Sequence, residues 1–109
     1  MRRAARGEVW LVDLGMAAKV RPALILSVPT DDVDRSLVTL VPHTTALRQS
    51  RFEAVVPASF LKPGAFDAQG IVTVPTIRLI RPLGALSGGQ LEPVEKAVLR
   101  WLGFEESGT

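Results

Sequence analysis

The chain has 109 residues, with 13 Lys and Arg against 11 Asp and Glu, no cysteine and one histidine, which predicts a single domain over residues 1–109. A chain of this size encloses one modest core, and 47% hydrophobic with 22% charged residues is the balance of a folded globular domain. Without cysteine there is no disulfide, zinc knuckle, thiolate nucleophile or redox switch, and with His43 alone neither a paired-histidine ribonuclease site nor a multi-histidine metal cage forms within one chain.

The net charge of +2 is unevenly spread. Ten arginines stand against three lysines, and residues 92–109 hold four acids and two bases, leaving 11 bases and 7 acids on the body. Arginine grips phosphate with a fork that lysine lacks, so the body leans towards a nucleic-acid or phosphate partner. Arginine-rich coding in a GC-rich genome accounts for the bias equally well. No run reaches the ~20 apolar residues of a membrane span. Arg2-Arg3 superficially matches a twin-arginine signal, but the apolar run at 9–14 is short and carries Asp13. The expectation is a cytoplasmic protein.

In chain order, residues 8–14 open after Gly7 and close at Gly15, rich in strand formers. Pro22 then leads into 23–28, almost continuously apolar, as suits a strand buried on both faces. Residues 29–32 are a turn cluster, and 37–41 form the third strand, whose end Pro42 confines to a sheet edge or exit. Residues 52–56 alternate as a half-exposed strand, 62–64 are a turn, 71–74 are a strand, and 77–83 are one more, broken at Pro82. The period then changes. Leu91, Val94, Ala97, Val98, Trp101 and Leu102 share one helical face, with Pro93 in the first turn, Gly103 as the stop and residues 87–90 as a turn leading in. The pattern predicts a small bent β-barrel with a C-terminal helix over one opening.

Three stretches in this order carry a family resemblance: Arg6-Gly7-Glu8-Val9-Trp10-Leu11-Val12-Asp13-Leu14, then Val20-Arg21-Pro22-Ala23-Leu24-Ile25-Leu26-Ser27, then Val41-Pro42-His43-Thr44-Thr45. With residues 91–104 as a closing helix, nearly the whole chain resembles the MazF/PemK toxins of bacterial type II toxin–antitoxin systems. The resemblance implies a mainly β fold, a small SH3-like barrel of the MazF/PemK/CcdB type with a C-terminal helix, assembled as a homodimer. It implies an mRNA interferase: an endoribonuclease needing no metal or other cofactor that cuts single-stranded RNA at short sequences. The ribose 2′-hydroxyl attacks, leaving a 2′,3′-cyclic phosphate and a 5′-hydroxyl, and a cognate antitoxin covers the RNA groove.

Arg21 matches the family's catalytic arginine and Thr44 its catalytic threonine. A fixed guanidinium neutralises the extra charge of a pentacovalent phosphorane. Arginine holds its proton too tightly to act as a free base, so charge stabilisation comes first and acid/base work second. The Thr44 hydroxyl can donate to a phosphate oxygen or orient the 2′-hydroxyl, while Thr45 next to it points to the other side of a strand. His43 is an acid/base candidate because imidazole titrates near neutrality, yet the same alternation turns it away from Thr44. Lys19, Arg48 and Arg51 are expected to bind RNA phosphates, the last two from the loop at 46–51, where a merely solvated charged loop is the alternative. Arg78 falls where relatives carry a basic residue on a strand after a D-Q or E-Q dipeptide, here replaced by Pro75-Thr76, so Thr76 joins the RNA-binding set with some base-reading groups missing. Relatives also carry a long acidic loop between the first two strands; residues 15–20 are short and hold no acid, which leaves Glu8, Asp13 and Glu53 as acids among which the sequence does not choose. A gyrase-poisoning toxin like the CcdB group and a non-catalytic RNA-binding barrel are the alternatives. The joint presence of Arg21-Pro22 and Pro42-His43-Thr44 favours the RNA-cleaving branch, and the scarcity of aromatics argues against a general stacking platform.

Overall fold

A computed structural model describes residues 4–15 and 19–104. Arg2, Arg3, Met16, Ala17, Ala18, Glu105 and Glu106, which entered the reading above, lie outside the described residues. Seven strands are found there: β1 (Glu8–Asp13), β2 (Val20–Ile25), β3 (Leu37–Thr44), β4 (Glu53–Ala54), β5 (Ala65–Asp67), β6 (Val72–Pro75) and β7 (Leu79–Ala85), followed by the helix α1 (Gly88–Leu102). All pairings are antiparallel, in the order β4-β5-β3-β2-β1-β7 with β6 also on β3. A 3-10 turn at Thr76–Arg78 carries the chain from β6 to β7, bridging the two outer strands of the β6-β3-β2-β1-β7 strip.

Alternation on these strands supplies two cores on opposite faces. Trp10, Val12, Ala23, Ile25, Val38, Leu40 and Leu79 form one core cluster. Val9, Leu24, Val41 and Phe66 meet Val94, Ala97 and Val98 of α1 on the other. The helix is fixed at its start by a capping box: Gln90 N–H donates to Ser87 Oγ and Ser87 N–H to Gln90 Oε1. It stops at Gly103, whose φ of +82° favours a residue without Cβ.

Several expectations are corrected. The second strand runs from Val20 to Ile25 rather than 23–28, because Pro22 pairs within it opposite Leu11. Pro42 is neither at an edge nor an exit: β3 continues to Thr44 with β2 on one side and β6 then β5 on the other. Leu26 N–H donates to Thr39 O, so the odd residues of β3 face β2 and Pro42 turns its missing donor to the other side. That side is the interval between the β6 pairing, ending at Leu40, and the β5 pairing, beginning at His43. The strand at 52–56 shrinks to two residues, and β5 has no counterpart in the sequence reading. Pro82 lies inside β7, opposite Trp10 beside a bulge, on a strand that pairs with β1 alone among the described residues. The helix starts at Gly88, so Pro93 sits in its second turn, and Trp101 and Leu102, expected on the buried face, stay exposed.

Candidate active site

The two prolines of the sequence motifs decide what happens between β2 and β3. The ladder parity set by Leu26 and Thr39 makes Leu24–Val41 a hydrogen-bonded pair and would make Pro22–His43 the next. Pro22 has no N–H to give, and the pairing stops at Ala23–Pro42. Carried past this break, the same register sets Arg21 opposite Thr44. In a continuous ladder such a non-hydrogen-bonded position would put the two side chains on one face. Arg21 is meanwhile held by its backbone to Val12 of β1. The proline after the arginine thus loosens the β2–β3 seam beside the two side chains the motifs single out.

Arg21 is half-buried, and its Nε has neither solvent nor a hydrogen-bond partner. Thr44 Oγ1 accepts the Ala46 N–H at 3.0 Å, which fixes the hydroxyl and leaves its hydrogen free to donate. His43 points to the opposite face, buried, its ring edge-on to Phe66 at 5.0 Å. Its Nε2 also lacks a partner, and burial pushes its pKa below the ordinary 6.5, favouring the neutral ring.

The proposed phosphate binders are not all in one place. Arg78 faces Asp13, the guanidinium 3.9 Å from the carboxylate, on the strand pair that also sets Leu79 opposite Val12. It lies in the 3-10 turn rather than on a strand as expected. Lys19 is exposed in the β1–β2 loop with φ +56°, its C=O accepting the Leu14 N–H. Both flank the Arg21 end of the sheet. Thr76 is not there. It is tied to Ser36, its N–H donating to Ser36 O and its hydroxyl 2.6 Å from the serine hydroxyl. Ser36 precedes β3, eight residues from Thr44, a span of roughly 25 Å at the rise of a strand. Thr76 instead lines a cavity of about 590 Å³ with Asp31, Asp32 and Asp34, a setting that repels phosphate. Arg48 is exposed, and Arg51 lies 4.6 Å over the Phe52 ring, which meets Trp101 of α1.

The three acids all hold backbone. Glu8 accepts Ala5 N–H and the Trp10 indole, Glu53 accepts Arg48 and Ser50 N–H, and Asp13 accepts Gly15 N–H.

Sequence reasoning missed Gly64. A Cβ there would lie 2.2 Å from Thr44 O and 2.7 Å from His43 Cε1, so only glycine lets the turn at 62–64 close on the end of β3. The Lys62-Pro63-Gly64 turn was visible, but the strand it introduces, β5, was not, and without β5 nothing located the glycine against Thr44.

A family model described as PemK-like, MazF-like toxin of type II toxin-antitoxin system matches residues 5–102. Endoribonuclease MazF9 of Mycobacterium tuberculosis (strain ATCC 25618 / H37Rv) is 28% identical over 107 residues, covering 85% of this chain and 91% of that protein. Among solved structures, an endoribonuclease in complex with its cognate antitoxin from a Mycobacterial species superposes with a TM-score of 0.80 at 25% identity, over 94% of this chain and 98% of the other. MazF of Deinococcus radiodurans (Form-I) shares the fold at a TM-score of 0.78 and 24% identity, over 94% and 99% of the two chains. The chain belongs to the PemK-like, MazF-like toxins of type II toxin–antitoxin systems.

Proposed function

We propose that the chain is the endoribonuclease toxin of a toxin–antitoxin pair, cutting single-stranded RNA with Arg21 and Thr44. The observation that carries this is the Arg21 guanidinium, its Nε unpartnered, on the same face as the fixed Thr44 hydroxyl beside a seam interrupted at Pro22. In the reaction the ribose 2′-oxygen bonds to phosphorus, its proton leaves, and the bond to the 5′-oxygen breaks as that oxygen takes up a proton. Charge collects on the non-bridging oxygens of the phosphorane. The Arg21 guanidinium neutralises it, and the Thr44 hydroxyl donates to one of those oxygens. His43 faces the core and serves the site from behind as packing. Among the described residues no group of three or more His, Cys, Asp or Glu is placed to hold a metal ion.

The reading includes a homodimer, a cognate antitoxin and residence in the cytoplasm with the RNA. Leu99, Trp101, Leu102 and Phe104 leave apolar surface at the end of α1, as protein-binding chains do. No helix among the described residues is long and apolar enough to cross a membrane. The gyrase-poison and non-catalytic readings have no observation in their favour.

The test is incubation of purified protein with single-stranded RNA in EDTA, with the product ends read by mass spectrometry. Fragments ending in 2′,3′-cyclic phosphate are expected. Intact RNA, or cleavage that appears only on adding magnesium, would overturn the reading.

A further inference from the structure

At the Arg21 end of the sheet one carboxylate does two jobs. Asp13 Oδ1 accepts the Gly15 N–H at 2.9 Å and stands 3.9 Å from Arg78 Nη1. Arg78 in turn covers the loop stem: its Nη1 is 3.2 Å from where a Cβ on Gly15 would be, and Gly15 has a φ of +70°. The stem is closed beneath it by Leu14 N–H to Lys19 O and Lys19 N–H to Gly15 O. Arg78 is thus the one arginine of the expected RNA-binding set that already faces an anionic oxygen among the described residues. Its side chain and that of Asp13 are each about half exposed, 45% and 50%.

From this we infer that Asp13 is a positioning residue that occupies the place of an RNA phosphate on Arg78. Without RNA, the carboxylate parks the guanidinium over the β1–β2 loop stem and offsets its charge. When a strand enters the groove, a phosphate takes the guanidinium and Asp13 keeps only its bond to Gly15. The weakness of the contact suits this exchange: an ion pair so exposed holds its partners by no more than about a fivefold equilibrium. The Gly15 bond needs only an acceptor oxygen, so the two jobs can be separated. The inference rests on the proposed RNA-binding function, and its test is a binding measurement that needs no cleavage.

The probe is an uncleavable 2′-deoxy single strand, titrated against the full chain over a range of salt. Asp13→Asn keeps an acceptor for Gly15 and removes the charge facing Arg78. It should bind about two- to fivefold tighter and steepen the log–log salt slope by roughly 0.7, because in the wild type the counterion released from the phosphate is offset by one taken up at the freed Asp13, and without that charge the release is net; thermal melting should be unchanged. Adding Arg78→Ala should return the slope to the wild-type value, whereas Arg78→Ala alone should change it little. Asp13→Ala should also lower the melting temperature, because Gly15 N–H then loses its acceptor. The inference is overturned if Asp13→Asn leaves the slope unchanged. It is equally overturned if the double variant keeps the steeper slope, since removal of a negative charge anywhere nearby would then suffice. RNA cleavage by the wild type, assayed alongside, reports separately on the function itself.

Discussion

Replacing Gly64 by Ala tests whether the end of β3 is held in place by the turn that packs on it. Gly64 does not adopt a left-handed conformation, so alanine carries no backbone penalty there and the whole effect is steric. The added Cβ would lie 2.2 Å from Thr44 O, whereas Cβ contacts below 3.0 Å are essentially never seen. The turn and the strand must therefore part by about 1 Å, and neither neighbour is the free end of a flexible side chain. Overpacking of this kind costs about 1–3 kcal/mol of stability. A displacement of about 1 Å at a catalytic group lowers rate by about 10²-fold. Because the clash falls on Thr44's own carbonyl, the loss should appear in the cleavage step more than in RNA binding. Single-turnover cleavage of a fluorogenic RNA, binding to a 2′-deoxy strand and a urea melt are the assays. A variant that melts as wild type and cuts within threefold of it would refute the packing argument. One that loses binding and cleavage equally would refute the link to Thr44.

Burial holds the folded His43 below its ordinary pKa of 6.5, so the unfolded chain binds the proton more readily. The stability tied to this ring is present above about pH 6.5 and falls as pH drops below it. His43→Phe should lose less stability than wild type between pH 7.5 and 5.5 by urea titration, and equal losses would contradict a buried neutral ring. Arg48 is exposed, its own N–H held by Glu53, so Arg48→Ala should flatten the salt dependence of RNA binding by roughly 0.7, the share of one phosphate, without changing the cut sequence. Arg51 rests on Phe52, and Arg51→Ala should instead lower stability by about 0.5–1 kcal/mol; a flattened slope for Arg51 and none for Arg48 would reverse the assignment.

Much of the architecture was legible because period-2 and period-3.6 patterns are strong over long elements. Residues 8–13 alternate onto two cores, and Val94, Ala97 and Val98 mark the packed face of α1. What failed were features decided by neighbours. Pro22 and Pro42 read as boundaries, yet each sits within a strand: the missing donor of Pro42 falls in the interval between the β6 and β5 pairings, and that of Pro22 ends the pairing with β3 while β2 stays paired to β1. β4 and β5 are two and three residues long, too short to show a period, and exist only as a pair beside β3. Arg21 and Thr44 came from the motifs, and the β2–β3 register explains why those motifs belong together. Thr76 and Arg78 are grouped by the family's pattern of a basic residue after a D-Q or E-Q dipeptide, here Pro75-Thr76. The 3-10 turn that holds both carries the chain from β6, paired with β3, to β7, paired with β1, so one meets Ser36 and the other Asp13.

The central claim is that Arg21 neutralises the phosphorane. It is tested most directly by the single-turnover cleavage rate of Arg21→Ala in EDTA, with circular dichroism to confirm the fold and Arg21→Lys alongside. Loss of one transition-state donor predicts a fall of about 10²–10³-fold for alanine. Lysine should restore only part of it, because an ammonium supplies charge without the fork. A folded Arg21→Ala protein that cuts RNA within threefold of wild type would contradict the account.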